Sequence, residues 1–259
     1  MARFINLYSG SSGNCTYIRT PDVRLLFDAG RSALFLKRSL ESVGERIEDI
    51  NAIFITHEHT DHTSALKVIL KKNPLPVYAA KETAGRISGI MANGACGKLI
   101  CYDETFEMRF GDTVVTAFRL SHDSDSCVGY RIDFVEDGVA RSFGLMTDTG
   151  YVTDDARKAL TGCEAVMVES NHDVEMLRYG PYPEILKERI LSNRGHLSNW
   201  DCSVFCRELA DTGTRCFMLA HLSEENNFPS IARTQSEGML EGTGATVCVA
   251  CPDTPTVLI

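Results

Sequence analysis

Residues 57–62 read His-Glu-His-Thr-Asp-His, a spacing whose chemistry is that of a metal site. Three imidazoles and the Asp61 carboxylate are nitrogen and oxygen donors suited to a hard or borderline divalent cation at neutral pH. Crowding such groups into one turn is costly unless a cation neutralises and holds them. A solvated polar loop is the bland alternative, and it leaves the spacing and the flanking apolar runs unexplained. Residues of the same types recur after other apolar runs. Asp28 follows Val-Arg-Leu-Leu-Phe, His122 follows Val-Val-Thr-Ala-Phe-Arg-Leu-Ser, and Asp148 follows Phe-Gly-Leu-Met-Thr. His172 comes just after Ala-Val-Met-Val-Glu-Ser-Asn, and His221 follows Cys-Phe-Met-Leu-Ala. His196 sits in Arg-Gly-His-Leu-Ser-Asn. His57, His59, Asp61, His62, His122, Asp148 and His221 are read as functional, with Asp148 placed in a sharp Thr-Asp-Thr-Gly turn where it can bridge two cations. Asp28 is expected to orient a ligand imidazole by a hydrogen bond. His172 either supports a ligand or is a satisfied core histidine.

These residues need strand ends gathered at one rim. The run 51–56 reads as a buried strand leading into the histidines, and 63–72 as a helix leading out of them. Short strands are expected at 3–8, 15–19 and 23–28, with the Ser-Gly-Ser-Ser-Gly-Asn turn at 9–14 joining the first two. That turn has two readings, a plain hairpin connection or backbone N–H groups facing a phosphate. A helix is expected over 32–43, capped by Gly44, then a strand at 77–79 and a helix over 81–92. Strands are expected near 99–102, 105–110, 114–120, 128–135 and 139–146. Thereafter helices at 153–160, 182–193, 199–211 and 230–240 alternate with strands at 165–168, 216–219 and 246–251. With no repeat, low-complexity tract or linker, residues 1–259 are expected to form one α/β domain with helices outside layered sheets.

Composition sets the surroundings. The 259 residues are 44% hydrophobic, enough for a large core, and no stretch approaches a membrane span. The opening residues turn polar too soon for a secretory signal, so a cytoplasmic protein is expected. Ten scattered cysteines fit a reducing compartment, and the lone Cys248-Val-Ala-Cys251 is read as structural. A formal charge of −9 argues against a broad basic footprint for duplex nucleic acid, although bound cations would supply local positive charge for a phosphate substrate.

The series Asp28, His57-x-His59-x-Asp61-His62, His122, Asp148 and His221 resembles the five ordered motifs of the metallo-β-lactamase superfamily. Within it, the 9–14 turn, Glu169-Ser-Asn-His-Asp173, Tyr179-Gly-Pro-Tyr-Pro183, Gly195-His-Leu-Ser-Asn199 and Ala220-His-Leu-Ser-Glu-Glu-Asn226 resemble the WalJ/YycJ-like branch, which is associated with 5′-to-3′ exonuclease activity on DNA. The resemblance implies a four-layered αββα sandwich with two divalent metal ions at one edge, zinc foremost, with manganese or iron as alternatives. It implies that His57, His59 and His122 hold one ion, that Asp61, His62 and His221 hold the other, and that Asp148 bridges. On the same footing, Asp61 orients a metal-activated hydroxide and His196 protonates the leaving oxygen or holds a phosphate. Ser11, Ser12 and Asn14 are candidates for meeting a substrate phosphate. There are departures from the relatives. The chain between Asp148 and His221 is too short for a β-CASP insertion, no tRNA-gripping arm is evident, and Asp148 stands where antibiotic-hydrolysing members usually carry Cys.

The expected function is a dinuclear-metal phosphodiesterase, a 5′-to-3′ DNA exonuclease with no membrane association. The competing enzyme is a hydrolase of the same fold acting on a small thioester, lactone or cyclic phosphodiester, which the acidic charge favours. A non-enzymatic, metal-stabilised binding module is weighed down by its full set of donors.

Overall fold

Alternation along the short strand Ala52–Ile55 (β4) shows how the layers arise. All four of its residues are buried. Ala52 and Phe54 face one apolar cluster while Ile53 and Ile55 face another, because successive strand side chains point to opposite sides. A sheet of such strands must be covered on both faces. The computed structural model describes residues 1–92, 97–103 and 105–259. In it β4 belongs to a seven-stranded sheet with Arg3–Tyr8 (β1), Cys15–Arg19 (β2), Arg24–Phe27 (β3), Val77–Ala80 (β5), Leu99–Tyr102 (β6) and Thr256–Val257 (β14), in the order β14-β1-β2-β3-β4-β5-β6. The second seven-stranded sheet comprises Phe106–Phe110 (β7), Thr113–Arg119 (β8), Val128–Glu136 (β9), Val139–Met146 (β10), Ala165–Glu169 (β11), Cys216–Ala220 (β12) and Thr246–Val249 (β13), in the order β13-β12-β11-β10-β9-β8-β7.

Between the sheets lies an aromatic-rich core in which Phe27 stacks on Phe54 at 5.4 Å and meets Tyr130 from the other sheet at 5.1 Å. Each such pair contributes about 0.5–1.5 kcal/mol beyond simple burial. The outer face of the first sheet is covered by Ala33–Ser42 (α1), Leu66–Lys72 (α3) and Lys81–Ala92 (α4), through Leu36, Leu40, Leu66, Ile69, Ala84 and Ile87. The outer face of the second is covered by Asp154–Leu160 (α5), Asn199–Asp211 (α8) and Pro229–Met239 (α9), through Ala156, Leu160, Phe205, Leu209 and Ala232. The result is an αββα sandwich. Strands β3 to β6 run parallel, as do β10 to β13, so each sheet carries a row of carboxyl ends on one side. Those ends are where parallel sheets bind ligands.

The structure departs from the sequence expectations at several element ends. The helix expected over 63–72 is two pieces, Thr60–Thr63 (α2) and α3, and α2 begins inside the histidine motif. Its break is fixed by Ala65, whose N–H donates to Ala29 O at 2.9 Å and not along a continuous helix. The helix expected over 182–193 spans only Glu184–Leu191 (α7), because Pro183 is its extended N-cap. Val174–Tyr179 (α6) and β14 were not anticipated. Strand β3 stops at Phe27, since Asp28 adopts a φ of 64°. Among the described residues no helix is long and apolar enough to cross a membrane.

Candidate metal centre

Three residues of the site occupy backbone conformations that L side chains rarely adopt. Asp28 (φ 64°), Asp148 (φ 62°) and His221 (φ 57°) are left-handed, each directly at or just past the carboxyl end of a parallel strand. Strain of this kind costs on the order of 1–3 kcal/mol per residue and persists where the surroundings hold it. Here it turns each side chain off its strand and over the rim. The 57–62 loop meets them from β4, and His122 arrives just beyond β8.

The imidazoles are contiguous. Ring centroids of His57 and His62 lie 4.1 Å apart, His57 and His122 5.1 Å, His59 and His122 5.2 Å, and His196 and His221 5.2 Å. More informative is which ring nitrogen faces inward. His62 donates from Nδ1 to Asp28 at 2.8 Å, His122 from Nδ1 to Gly195 O at 3.1 Å, and His221 from Nδ1 to Glu169 at 3.1 Å. His57 Nδ1 lies 3.0 Å from Thr56 Oγ1. Each outer nitrogen is thus tied to the protein and Nε2 is presented to the cluster, the arrangement by which outer partners fix the tautomer of metal-ligating histidines. Asp148 sits among them, with Oδ2 3.4 Å from His62 Nε2 and Oδ1 3.5 Å and 3.9 Å from His221 and His122 Nε2. Asp148 Oδ2 and His221 Nε2 are buried and have no hydrogen-bond partner among the described residues. Buried polar atoms are nearly always satisfied, and the chemistry of this pair fits a cation ligand set.

Electrostatics follows from the same crowding. Burial alone would lower His221, but the Asp148 carboxylate, with Asp61 and Glu169, pushes it up to about 10. Burial likewise opposes His62, yet Asp28 and Asp148 hold it well above the ordinary range. Burial would raise Asp61, while the neighbouring His221 and His62 imidazoles hold it well below the carboxylate range. His57 and His122 are pushed down, chiefly by burial; neighbouring imidazoles add to this, while Asp148 opposes it at His122. Protons on His62 and His221 thus play the part of positive charge that this carboxylate set attracts. A divalent cation would displace them, because a ligating imidazole must be neutral.

Donor atoms within 4.8 Å of one another form four groups: His57 with His59 and His122; Asp61 with His62 and His221; His57 with His62 and Asp148; and Asp148 with Glu169, His196 and His221. The structure therefore brings together His57, His59, Asp61, His62, His122, Asp148, His196 and His221. Asn14 lies against them, its Nδ2 3.3 Å from Asp61 Oδ2 and 3.1 Å from His62 Nε2. Ser11 lines the adjoining cleft. Ser12 is engaged elsewhere, accepting from Arg31 at 2.6 Å. Within the 9–14 turn the Gly10 and Gly13 N–H groups are used internally, donating to Asn14 Oδ1 and Gly10 O, so they face no phosphate. His172 is 1% exposed and belongs to none of the four donor groups; burial leads the influences that push it down to about 4.

Glu169 was not singled out from sequence. It is fully buried at the end of β11, and its Oε1 accepts from His196 Nδ1 at 2.7 Å as well as from His221. Its Oε2 accepts from the N–H of Thr149 at 2.8 Å, which fixes the turn that aims Asp148. The usable signal was its place at a strand end beside the Ser-Asn-His run.

A cleft of about 170 Å³ opens beside His196 and His221, between α7 and the 222–223 segment. The family described as Beta-lactamase superfamily domain matches residues 23–222. The exodeoxyribonuclease YycJ of Bacillus anthracis is 37% identical over 241 residues, which span 93% of this chain and 90% of that protein. The exodeoxyribonuclease WalJ of Streptococcus pneumoniae is 37% identical over 262 residues, spanning 97% and 95%. Among solved structures, the metallo-beta-lactamase fold protein YhfI from Bacillus subtilis superposes with a TM-score of 0.75 at 16% identity, covering 99% of this chain and 100% of that one.

Proposed function

Because the chain belongs to the metallo-β-lactamase superfamily, as a WalJ/YycJ-like metal-dependent hydrolase, we propose that it is a dinuclear phosphodiesterase that degrades DNA as a 5′-to-3′ exonuclease. One observation carries the dinuclear reading. Asp148 lies between two sets of inward-facing donors, with a buried oxygen that has no partner among the described residues. In this reading His57, His59 and His122 would hold one divalent cation, Asp61, His62 and His221 would hold the second, and Asp148 would serve both sets. Zinc suits the mixed nitrogen and oxygen set, as do manganese and iron. Such a pair of cations supplies Lewis acidity to a water and neutralises charge on a phosphoryl group.

The chain's own residues do the rest. Asp61 is partly exposed in the cluster, where it orients the attacking water. His196 keeps Nδ1 on Glu169, which leaves Nε2 as the edge that meets substrate; its side chain is 20% exposed. It delivers a proton from that edge to the leaving oxygen, with Glu169 holding the ring as the carboxylate of a catalytic triad holds its histidine. The exodeoxyribonuclease activity of the relatives supports DNA as substrate. The free state of the nine described cysteines supports a reducing, cytoplasmic setting.

A second reading, hydrolysis of a small ester or cyclic phosphodiester, is favoured by the −9 formal charge and the small cleft. Metal analysis of the purified protein, followed by reconstitution on zinc, manganese or iron, separates the two. We expect two cations per chain and stepwise loss of nucleotides from a labelled strand. Turnover of small esters with DNA left intact on every metal would overturn the nuclease reading.

A further inference from the structure

We propose that Tyr182 is a stacking platform for the terminal base of the strand being cut, so that the enzyme engages one unpaired nucleotide end at a time; this rests on the nuclease reading above. The cleft beside His196 and His221 has a lining of mixed character. Tyr182, Leu186 and Ile190 contribute apolar surface to it, and Ser11, Asn171 and Ser223 contribute polar groups. A flat group with an apolar face and a hydrogen-bonding edge matches that lining, and a nucleobase has both. At about 170 Å³ the cleft is smaller than the roughly 300–1,000 Å³ of ordinary small-molecule pockets. A single base suits an opening of that size better than a base pair does.

The backbone that carries the platform is constrained before anything binds. Tyr182 stands between Pro181 and Pro183, whose rings fix their own backbone torsions. The turn packs closely at Gly180, where a Cβ would lie 2.6 Å from both Asn226 Oδ1 and Met176 O. Helix α7 is tied to the metal-side loops at its far end. Arg189 pairs with Asp123, the neighbour of His122, and His196 N–H donates to Ile190 O at 3.0 Å. An aromatic held in place loses little freedom on binding. Arg189 is the one Arg or Lys among the described residues lining the cleft, and Asp123 already engages it, so the hold is by stacking more than by charge. Stacking tolerates every base, which suits an enzyme that must proceed through any sequence.

The test is a cycle between Tyr182→Ala and an abasic terminal nucleotide, read as kcat/KM on 3′-labelled strands and as Kd by fluorescence anisotropy with metal-free protein. Removing the base or the ring should each cost about tenfold, within the range of one base–aromatic stack, and removing both should cost no more than either alone. Tyr182→Phe should retain the wild-type values, and Tyr182→Leu replaces the alanine variant if that one melts at a lower temperature. Losses that multiply, or a Tyr182→Ala enzyme equal to wild type, would overturn the platform while leaving nuclease activity in place. A wild-type protein that degrades no strand on any metal would overturn the nuclease reading itself.

Discussion

Glu169 accepts hydrogen bonds from His196 and His221 and from the turn that carries Asp148, so one buried carboxylate sets three proposed site residues at once. Glu169→Gln keeps the shape but replaces charge-assisted bonds with weaker ones and points a donor at a donor. We expect activity to fall by about 10–100-fold, as for other partners of metal-holding histidines, with the melting temperature nearly unchanged. Turnover within twofold of wild type would show that His196 and His221 need no such support. At this scale legibility was uneven. His57, His59, Asp61 and His62 were readable because four unusual side chains fall within six residues. Glu169 was not, because a glutamate at a strand end looks like many others and only the fold places two imidazoles beside it. The left-handed backbone at Asp28, Asp148 and His221 was equally hidden, since none of the three is glycine. Ser12 shows what a sequence hides in another way: its hydroxyl accepts from Arg31, 19 residues on.

At the scale of elements, the histidine loop is held by its neighbour after β3. Asn14 N–H donates to Asp61 O at 2.8 Å, Ala29 N–H to His62 O at 2.8 Å, and Gly30 N–H to Asn14 O at 2.9 Å. The two loops approach so closely that a Cβ on Gly30 would lie 1.8 Å from Asp61 O. Backbone cannot yield as a side chain can. Gly30→Ala should therefore cost about 3 kcal/mol, the upper part of the overpacking range, and lower metal content as well. Gly44→Ala is the control. Its φ is 77° and no atom lies within 4 Å of the added carbon, so it should cost about 1 kcal/mol of backbone strain alone. Urea midpoints compare the two, and equal midpoints would refute the steric argument. The sheet strands were largely readable from apolar runs and turn residues. Less so were α6, only six residues long, β14, only two, and the split after α2, which depends on a hydrogen bond to Ala29 and on no local propensity.

At the scale of the molecule, the two sheets contribute different donors: the first brings His57, His59, Asp61 and His62, and the second brings His122, Asp148 and His221. Cations bound between them would stabilise only the folded state. At free concentrations about 100-fold above each Kd the two cations together contribute about 5.4 kcal/mol, which for a protein near this size is roughly 10–20 °C in Tm. Stripping the metal with a chelator should lower Tm by that amount, and the reconstituting metal should restore it. An unchanged Tm after verified metal loss would mean that the sheets need no such link. Only the layered arrangement was legible beforehand, through apolar runs that had to be covered on both faces; which residues of one sheet face the other appears only once they are packed.

That split ownership of the donors also fixes a chronology. During synthesis the nascent chain exposes His57–His62 long before His221 leaves the ribosome, so under the proposed assignment an early fragment offers a half-built, promiscuous chelator. Correct metallation then has to wait for β12 to dock, and the identity of the captured ion is decided by whatever is abundant where and when the polypeptide finishes folding.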